Sequence, residues 1–282
     1  MSQAKSYYRL CKPGIVYANL LTTIAGYLLA SQLDIKLSSF SGVIIGFTFI
    51  VAAACIVNNL YDRDIDIKME RTKNRPSVTG AVPLINGAIM AAVLVLIGTF
   101  MLLIMDNVLT MMIGLLGFSV YTTAYTISKR RTYHSTLIGS ISGATPIVGG
   151  YVAYSGRIDA AAIVIGLMML VWQMPHFYAI AIYRDADYRS AGIPSMPITI
   201  GKRATAYWML FYTLVFALLA MLLYRYAPVS IVYLLVMGLV SVCWLALNLS
   251  GLFSGRIEDW AKRSFLSSLI VMLVMSLAIG FR

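Results

Sequence analysis

Eleven acidic side chains are few for 282 residues, and six of them stand in two short stretches. The first reads Asn58-Asn59-Leu60-Tyr61-Asp62-Arg63-Asp64-Ile65-Asp66, with Glu70 just behind it; the second holds Asp185 and Asp187. On a helix, positions four and eight apart fall within roughly an 80° arc. Asn58, Asp62 and Asp66 therefore present three oxygen-bearing side chains along one face, while Asp64 points away if the helix continues. Like charges at that step repel unless a cation compensates. Mg²⁺ takes oxygen ligands and is usually held by one or two carboxylates plus substrate phosphates. The pattern predicts a metal–phosphate site. A solvated helix end, with Arg63, Lys68 and Arg71 as ion-pair partners, is the plainer alternative. An Asn inside an apolar run and the strict four-residue step count against it.

Three cations, Arg71, Lys73 and Arg75, follow within five residues. Alone they read as membrane-surface anchors; beside a metal cluster they can neutralise diphosphate oxygens. Lys129, Arg130 and Arg131 offer the same two readings.

These groups need elements that carry them to a common depth. The chain is 60% hydrophobic and 12% charged, against about 25% charged in ordinary soluble domains, and its mean hydropathy is +0.83. Roughly 20 apolar residues cross about 30 Å of hydrocarbon. Runs of that kind predict nine spans: Ile15–Leu33, Phe40–Leu60, Leu84–Met105, Val108–Ile127, Ser135–Tyr154, Ala160–Ile182, Ala204–Tyr224, Val229–Leu249 and Ser264–Phe281. Asp106-Asn107 is a tight turn between the third and fourth. In lipid each segment must satisfy its own backbone, so the spans are helices. The expected fold is all-α, a polytopic membrane bundle forming one domain over residues 1–282.

Under this assignment 18 of the 22 Lys and Arg residues fall on one side; Lys36, Arg157, Arg225 and Arg282 fall on the other. The positive-inside rule then puts the N-terminus and both acidic stretches in the cytoplasm, and Arg282 outside. The net charge of +11 reflects this bias, and no nucleic-acid partner is expected. Pro13-Gly14 lead into the first run with no small-residue cleavage motif behind it, so that run is expected to remain as a span. Cys11, Cys55 and Cys243 share no metal-ligand spacing and suit packing.

Asn58-x-x-x-Asp62-x-x-x-Asp66 at the end of the second of nine spans resembles the first signature of the UbiA-type intramembrane prenyltransferases. Further blocks narrow the resemblance to the heme-farnesylating branch of that family. They are Asn58–Arg75 (NNLYDRDIDIKMERTKNR), Lys12-Pro13-Gly14, Ser135–Gly150 (STLIGSISGATPIVGG), Trp172–Ile182 (WQMPHFYAIAI), and Asp187-Tyr188 with Ala191-Gly192-Ile193-Pro194 and Pro197. They run in family order from residue 12 to about 201; the last three spans add only hydrophobicity.

The resemblance implies nine helices around a central cavity open to lipid, in a bacterial inner membrane. Farnesyl diphosphate and heme B would be the substrates, heme B a substrate rather than a cofactor. Mg²⁺ would bridge the diphosphate to Asn58, Asp62, Asp66 and Asp187, the residues expected to act in catalysis. Arg71, Lys73, Arg75, Lys129 and Arg130 would bind the diphosphate. Membrane lipid would surround the protein, and a heme A synthase or terminal oxidase could dock to receive the product. One departure stands out. Many relatives carry a second D-x-x-x-D signature, but here Asp187 is followed four residues later by Ala191, so a second metal would be poorly furnished.

His176 lies deep in the sixth span among Trp172, Gln173, Pro175 and Phe177. A histidine at that depth is either a packed, hydrogen-bonded residue or a ligand, and imidazole is a common axial ligand of heme iron. The resemblance assigns His176, Trp172 and Gln173 to heme, leaving open whether His176 binds iron directly. Pro175 is expected to weaken its helix locally. His134 reads as interfacial; Tyr121 and Tyr125 either pack or line the cavity. Two other functions compete: prenylation of a different acceptor, such as an aromatic acid, and ion-coupled transport. Transporters usually place ionisable sites near the bilayer midplane, whereas these acids stand at helix ends.

Overall fold

The computed structural model describes residues 2–280. Among them there is no strand, and nine helices are long and apolar enough to cross a membrane. We label them α1 (Pro13–Ser31), α2 (Leu37–Tyr61), α3 (Leu84–Met105), α4 (Val108–Ser128), α5 (Ser135–Ser155), α6 (Ala160–Tyr183), α7 (Lys202–Tyr226), α8 (Ile231–Phe253) and α9 (Ile257–Ala278). Each matches an expected span, and the chain is a multi-pass membrane protein. The largest shift is at α9, which starts seven residues before the apolar run because Glu258 and Asp259 occupy its first turn, where the helix dipole favours negative charge. Phe281 and Arg282, assigned to the ninth span and the far side, lie outside the described residues.

Caps explain several boundaries. Asn107 Oδ1 accepts from the Thr110 backbone N–H at 2.8 Å, starting α4 directly after the turn. Asp159 does the same for α6, accepting from Ala162 N at 3.1 Å. The weakening expected at Pro175 does not break α6, which runs unbroken through it.

In a bilayer, apolar side chains gain little by leaving lipid, so close van der Waals packing between small residues holds helices together. The α1–α5 contact shows this. A Cβ on Gly26 would lie 1.9 Å from the Ile147 carbonyl oxygen, and one on Gly150 would lie 2.0 Å from that of Thr23. Neither position admits a larger residue. This contact closes the half of the bundle remote from the acids. Around it α1 packs on α2, α2 on α3 and α4, α4 on α5, α5 on α6, α6 on α7 and α9, and α9 back on α1. The most buried span is α6. By contrast α3, α7 and α8 turn Leu96, Leu218 and Leu239 outward, as lipid-facing helices should.

Candidate active site

The last turn of α2 carries the first acidic stretch. The helix ends at Tyr61, Asp62 is its C-cap, and a single turn, Arg63–Asp66, follows. The four-residue step survives the break: Asp62 N donates to Asn58 O at 2.9 Å and Asp66 N to Asp62 O at 2.8 Å. Asn58, Asp62 and Asp66 are 2%, 0% and 3% exposed, which excludes a solvated helix end. Asp64 lies outside the line and is exposed, as its position on the arc requires.

Basic side chains from two other segments converge here. Lys129 Nζ donates to Asp62 Oδ2, the oxygen that also accepts from Asn58 Nδ2 at 2.8 Å. Arg130 makes two 2.7 Å hydrogen bonds to Asp64, and its Nη2 stands 3.7 Å from Asp62 Oδ1. Those bonds hold the Asp64 carboxyl below its ordinary range and raise the Arg130 guanidinium. Arg75 Nη1 donates to Asp66 Oδ2 at 2.5 Å. Lys129 and Arg130, ambiguous in the sequence, are thus brought to the cluster. Lys73 instead pairs with exposed Glu70 at 2.7 Å. Arg71 is exposed, and its charge acts on the Tyr188 phenol. Burial is the main reason that phenol is raised above its ordinary value.

The second acidic stretch, in the short helix Asp185–Ser190, bonds to the backbone that follows the first stretch and not to the carboxylates of Asp62 and Asp66. Asp187 Oδ1 accepts from the Glu70 backbone N–H at 3.1 Å, and Ser190 Oγ donates to Lys68 O at 2.8 Å. Ile65, Met69, Ala191 and Ile193 pack together beneath these bonds. Asp185 pairs with Arg189 at 2.8 Å and Lys202 at 3.5 Å. Among the described residues no three His, Cys, Asp or Glu side chains gather as ligands for one ion. What remains is a pair, Asp62 and Asp66, with the Asn58 amide. That set fits a hard divalent cation, which commonly takes one or two carboxylates and completes its shell from phosphate. The same fit is supported by Asp62 Oδ1, buried with no hydrogen-bond partner.

Sequence reasoning missed Lys12. Its Nζ donates to Asn58 Oδ1 at 2.6 Å, and burial lowers its ammonium to about 8, with the charges of Arg75 and Lys129 adding to the effect. The available signal was a lysine set directly before Pro13 at the head of an apolar run. Thr126 was missed too: its hydroxyl accepts from Asn58 Nδ2 at 3.1 Å and donates to Tyr121 O at 2.7 Å. Thr126 follows a π-helical turn, Val120–Tyr125. Such turns recur at functional sites, and this one stacks Tyr121 on Tyr125 with centroids 5.1 Å apart.

Deeper in α6, Trp172, Gln173 and His176 are all buried. The His176 ring stacks on Trp172 at 4.8 Å and meets Phe177 at 5.0 Å and Phe265 at 5.1 Å. Trp172 Nε1 donates to Ser268 O at 2.9 Å, and His176 Nδ1 lies 2.7 Å from Ser268 Oγ. Gln173 Nε2 donates to the Ser140 and Met169 carbonyls, both at 3.0 Å. Gly143 makes room for that amide, since a Cβ there would lie 2.0 Å from Gln173 Oε1. His134 is exposed beside Tyr133, in keeping with an interfacial place.

Among the described residues, nine membrane-spanning helices carry at one end a buried Asn-Asp-Asp line ringed by cations. The chain belongs to the UbiA prenyltransferase family, whose pattern matches residues 19–269. Within that family it is 39% identical over 275 residues to the protoheme IX farnesyltransferase of Protochlamydia amoebophila (strain UWE25), covering 98% of this chain and 97% of the relative. The fold matches a chain solved in work on digeranylgeranylglyceryl phosphate synthase in membranes, with a TM-score of 0.82 at 20% identity, covering 99% and 98% of the two chains. It also matches a UbiA homologue from Archaeoglobus fulgidus bound to GPP and Mg²⁺, with a TM-score of 0.69 at 14% identity, covering 97% and 99%.

Proposed function

We infer that this chain transfers the farnesyl group of farnesyl diphosphate to a vinyl group of heme B, releasing diphosphate and forming heme O. The observation that carries the transfer reading is Asp62, fully buried, with one oxygen held by Lys129 and Asn58 and the other without a hydrogen-bond partner. Lys129 and Arg130 already offset the charge of this buried carboxylate, and Oδ1, 3.7 Å from Arg130 Nη2 and without a hydrogen bond, is the position a metal ion would fill. The acceptor follows from the full-length relationship to a protoheme IX farnesyltransferase.

Asn58, Asp62 and Asp66 would hold Mg²⁺, with Asp187 as a further ligand position. When bound, the ion supplies positive charge to the departing diphosphate oxygens. Lys129, Arg130 and Arg75 stand where they add to that charge, while exposed Arg71 and Lys73, the latter paired with exposed Glu70, are the surface cations that would close over the phosphates. The allylic C–O bond breaks with its electron pair passing to diphosphate. The vinyl π electrons of heme B form the new C–C bond, and water adds to the resulting cation with loss of a proton. Apolar spans hold bulk water back until the farnesyl carbon is captured.

His176, Trp172 and Gln173 receive the heme. With Ser268 Oγ donating its proton to Phe265 O at 2.6 Å, its lone pair faces His176 Nδ1 at 2.7 Å and favours the Nδ1–H tautomer. That tautomer leaves Nε2 with a lone pair for iron, the arrangement usual for a metal-binding imidazole.

The whole chain acts as one domain in a bacterial cytoplasmic membrane. The acidic end and the N-terminus face the cytoplasm, the C-terminus faces outward, and product passes to a heme A synthase or terminal oxidase.

The test is to incubate the purified protein with heme B, farnesyl diphosphate and Mg²⁺ and to weigh the heme product. A farnesylated, hydrated heme is expected. Its absence where a known enzyme succeeds would overturn the acceptor, and prenylation of an aromatic acid that persists after His176→Ala would replace it.

A further inference from the structure

Lys12 holds a backbone conformation that its residue type disfavours. Its φ and ψ are 51° and 65°, in the left-handed region, although it is not glycine and although it precedes Pro13, a neighbour that restricts it further. Such strain persists only where the surroundings fix it, and it collects at functional sites. The conformation delivers the Lys12 ammonium to Asn58 Oδ1 at 2.6 Å.

The charge balance around it is uneven. Arg75 bonds to Asp66, Lys129 to Asp62, and Arg130 to Asp64. Of these four cations Lys12 is the one whose hydrogen bond goes to a neutral side chain. Its charge is therefore available to an incoming anion. It also occupies the amide oxygen that a cation would need, while the amide nitrogen is committed to Asp62 Oδ2 at 2.8 Å and to Thr126 Oγ1 at 3.1 Å. An ammonium and a divalent ion repel each other at one oxygen, so the two cannot share it comfortably.

We propose that Lys12 is a diphosphate-binding residue that holds Asn58 Oδ1 until substrate arrives and then exchanges it for a phosphate oxygen. The exchange turns the Asn58 amide oxygen from a lysine acceptor into a ligand for the cation, so metal and diphosphate enter together. This rests on the metal–diphosphate reading of Asn58, Asp62 and Asp66.

The experiment titrates the full chain in detergent with two probes, Mn²⁺ alone and inorganic pyrophosphate in excess Mg²⁺, following heat of binding. Lys12→Met is expected to weaken pyrophosphate at least tenfold and to leave Mn²⁺ binding unchanged or tighter, because Asn58 Oδ1 has lost its competitor. Lys12→Arg should restore pyrophosphate binding to within about threefold, since a guanidinium also pairs with phosphate. A merely structural tether would weaken both probes together, and that result overturns the proposal. So does pyrophosphate affinity within twofold of wild type. If the Met variant does not fold, Lys12→Gln removes the charge while keeping a donor for Asn58, and weaker pyrophosphate binding with Mn²⁺ binding no weaker than wild type is required of it. Wild-type protein that fails to bind pyrophosphate, or an Asp62→Ala variant that binds it normally, would instead overturn the site reading itself.

Discussion

His176 of α6 and Ser268 of α9 meet at 2.7 Å, imidazole Nδ1 to hydroxyl Oγ, across 92 residues of sequence. The Trp172 indole reaches the backbone carbonyl of the same serine at 2.9 Å. One residue of α9 thus holds both the imidazole and the ring stacked on it. Ser268→Ala should leave the fold intact and weaken heme B binding by about tenfold, the low end for loss of a group that orients a metal-binding histidine. A Soret-band titration measures this, and unchanged affinity would separate Ser268 from the heme site.

Removing the buried carboxylate tests the other half of the site. Asp62→Ala should abolish turnover while farnesyl-independent heme binding survives. The same substitution leaves Lys129 without its buried partner, a loss of about 3–5 kcal/mol in comparable pairs. Thermal unfolding is therefore measured beside product formation, and near-normal rates would remove Asp62 from the chemistry.

Helix approach sets a stability prediction. Gly26→Ala drives a methyl group into the Ile147 carbonyl, which cannot rotate away. Overpacking of this kind costs about 1–3 kcal/mol or more. Gly238→Ala in α8 meets nothing within 4 Å and should be neutral. Melting temperatures of the two variants in one detergent decide the point; equal values would mean that α1 and α5 slide apart freely.

Asp106, in the turn between α3 and α4, gives a pH signature. Oδ1 accepts from Ser39 Oγ at 2.6 Å, and Oδ2 is buried without a hydrogen-bond partner. Burial raises the carboxyl to about 7, against a smaller opposing effect of the Ser39 bond. The folded protein therefore holds a proton that the unfolded chain releases near pH 4. Stability from this group is greatest at low pH and declines as pH rises from about 4 to about 7. Melting temperature should fall by about 2–4 °C more in wild type than in Asp106→Asn between pH 5 and pH 8. Parallel pH profiles would contradict it.

Gln173 and Gly143 supply a test specific to the acceptor. Gly143→Ala displaces the Gln173 amide from the Ser140 carbonyl. Heme transfer should drop at least tenfold while pyrophosphate affinity stays within twofold, as read by turnover and calorimetry. Equal losses of both would show that the two halves of the site are not separable.

The sequence by itself determined the solvent, the nine spans and the residues with an oxygen to offer a metal. Those properties are local: apolar length decides whether a helix spans, and a four-residue step decides which side chains share its face. Asn58, Asp62 and Asp66 were legible for that reason, as was Asp64 pointing away. Only the tertiary structure decided which cations reach them. Arg71, Lys73 and Arg75 look equivalent in sequence, yet Arg75 turns inward to Asp66 while Lys73 turns outward to Glu70. Lys129 and Arg130 arrive from the loop just after α4, and Lys12 from the residue that caps α1. Likewise Ser268 is one small residue in an apolar run until α9 packs on α6. Which oxygens of Asp62 and Asn58 are already taken depends on contacts between residues far apart in the chain, and no local spacing encodes them.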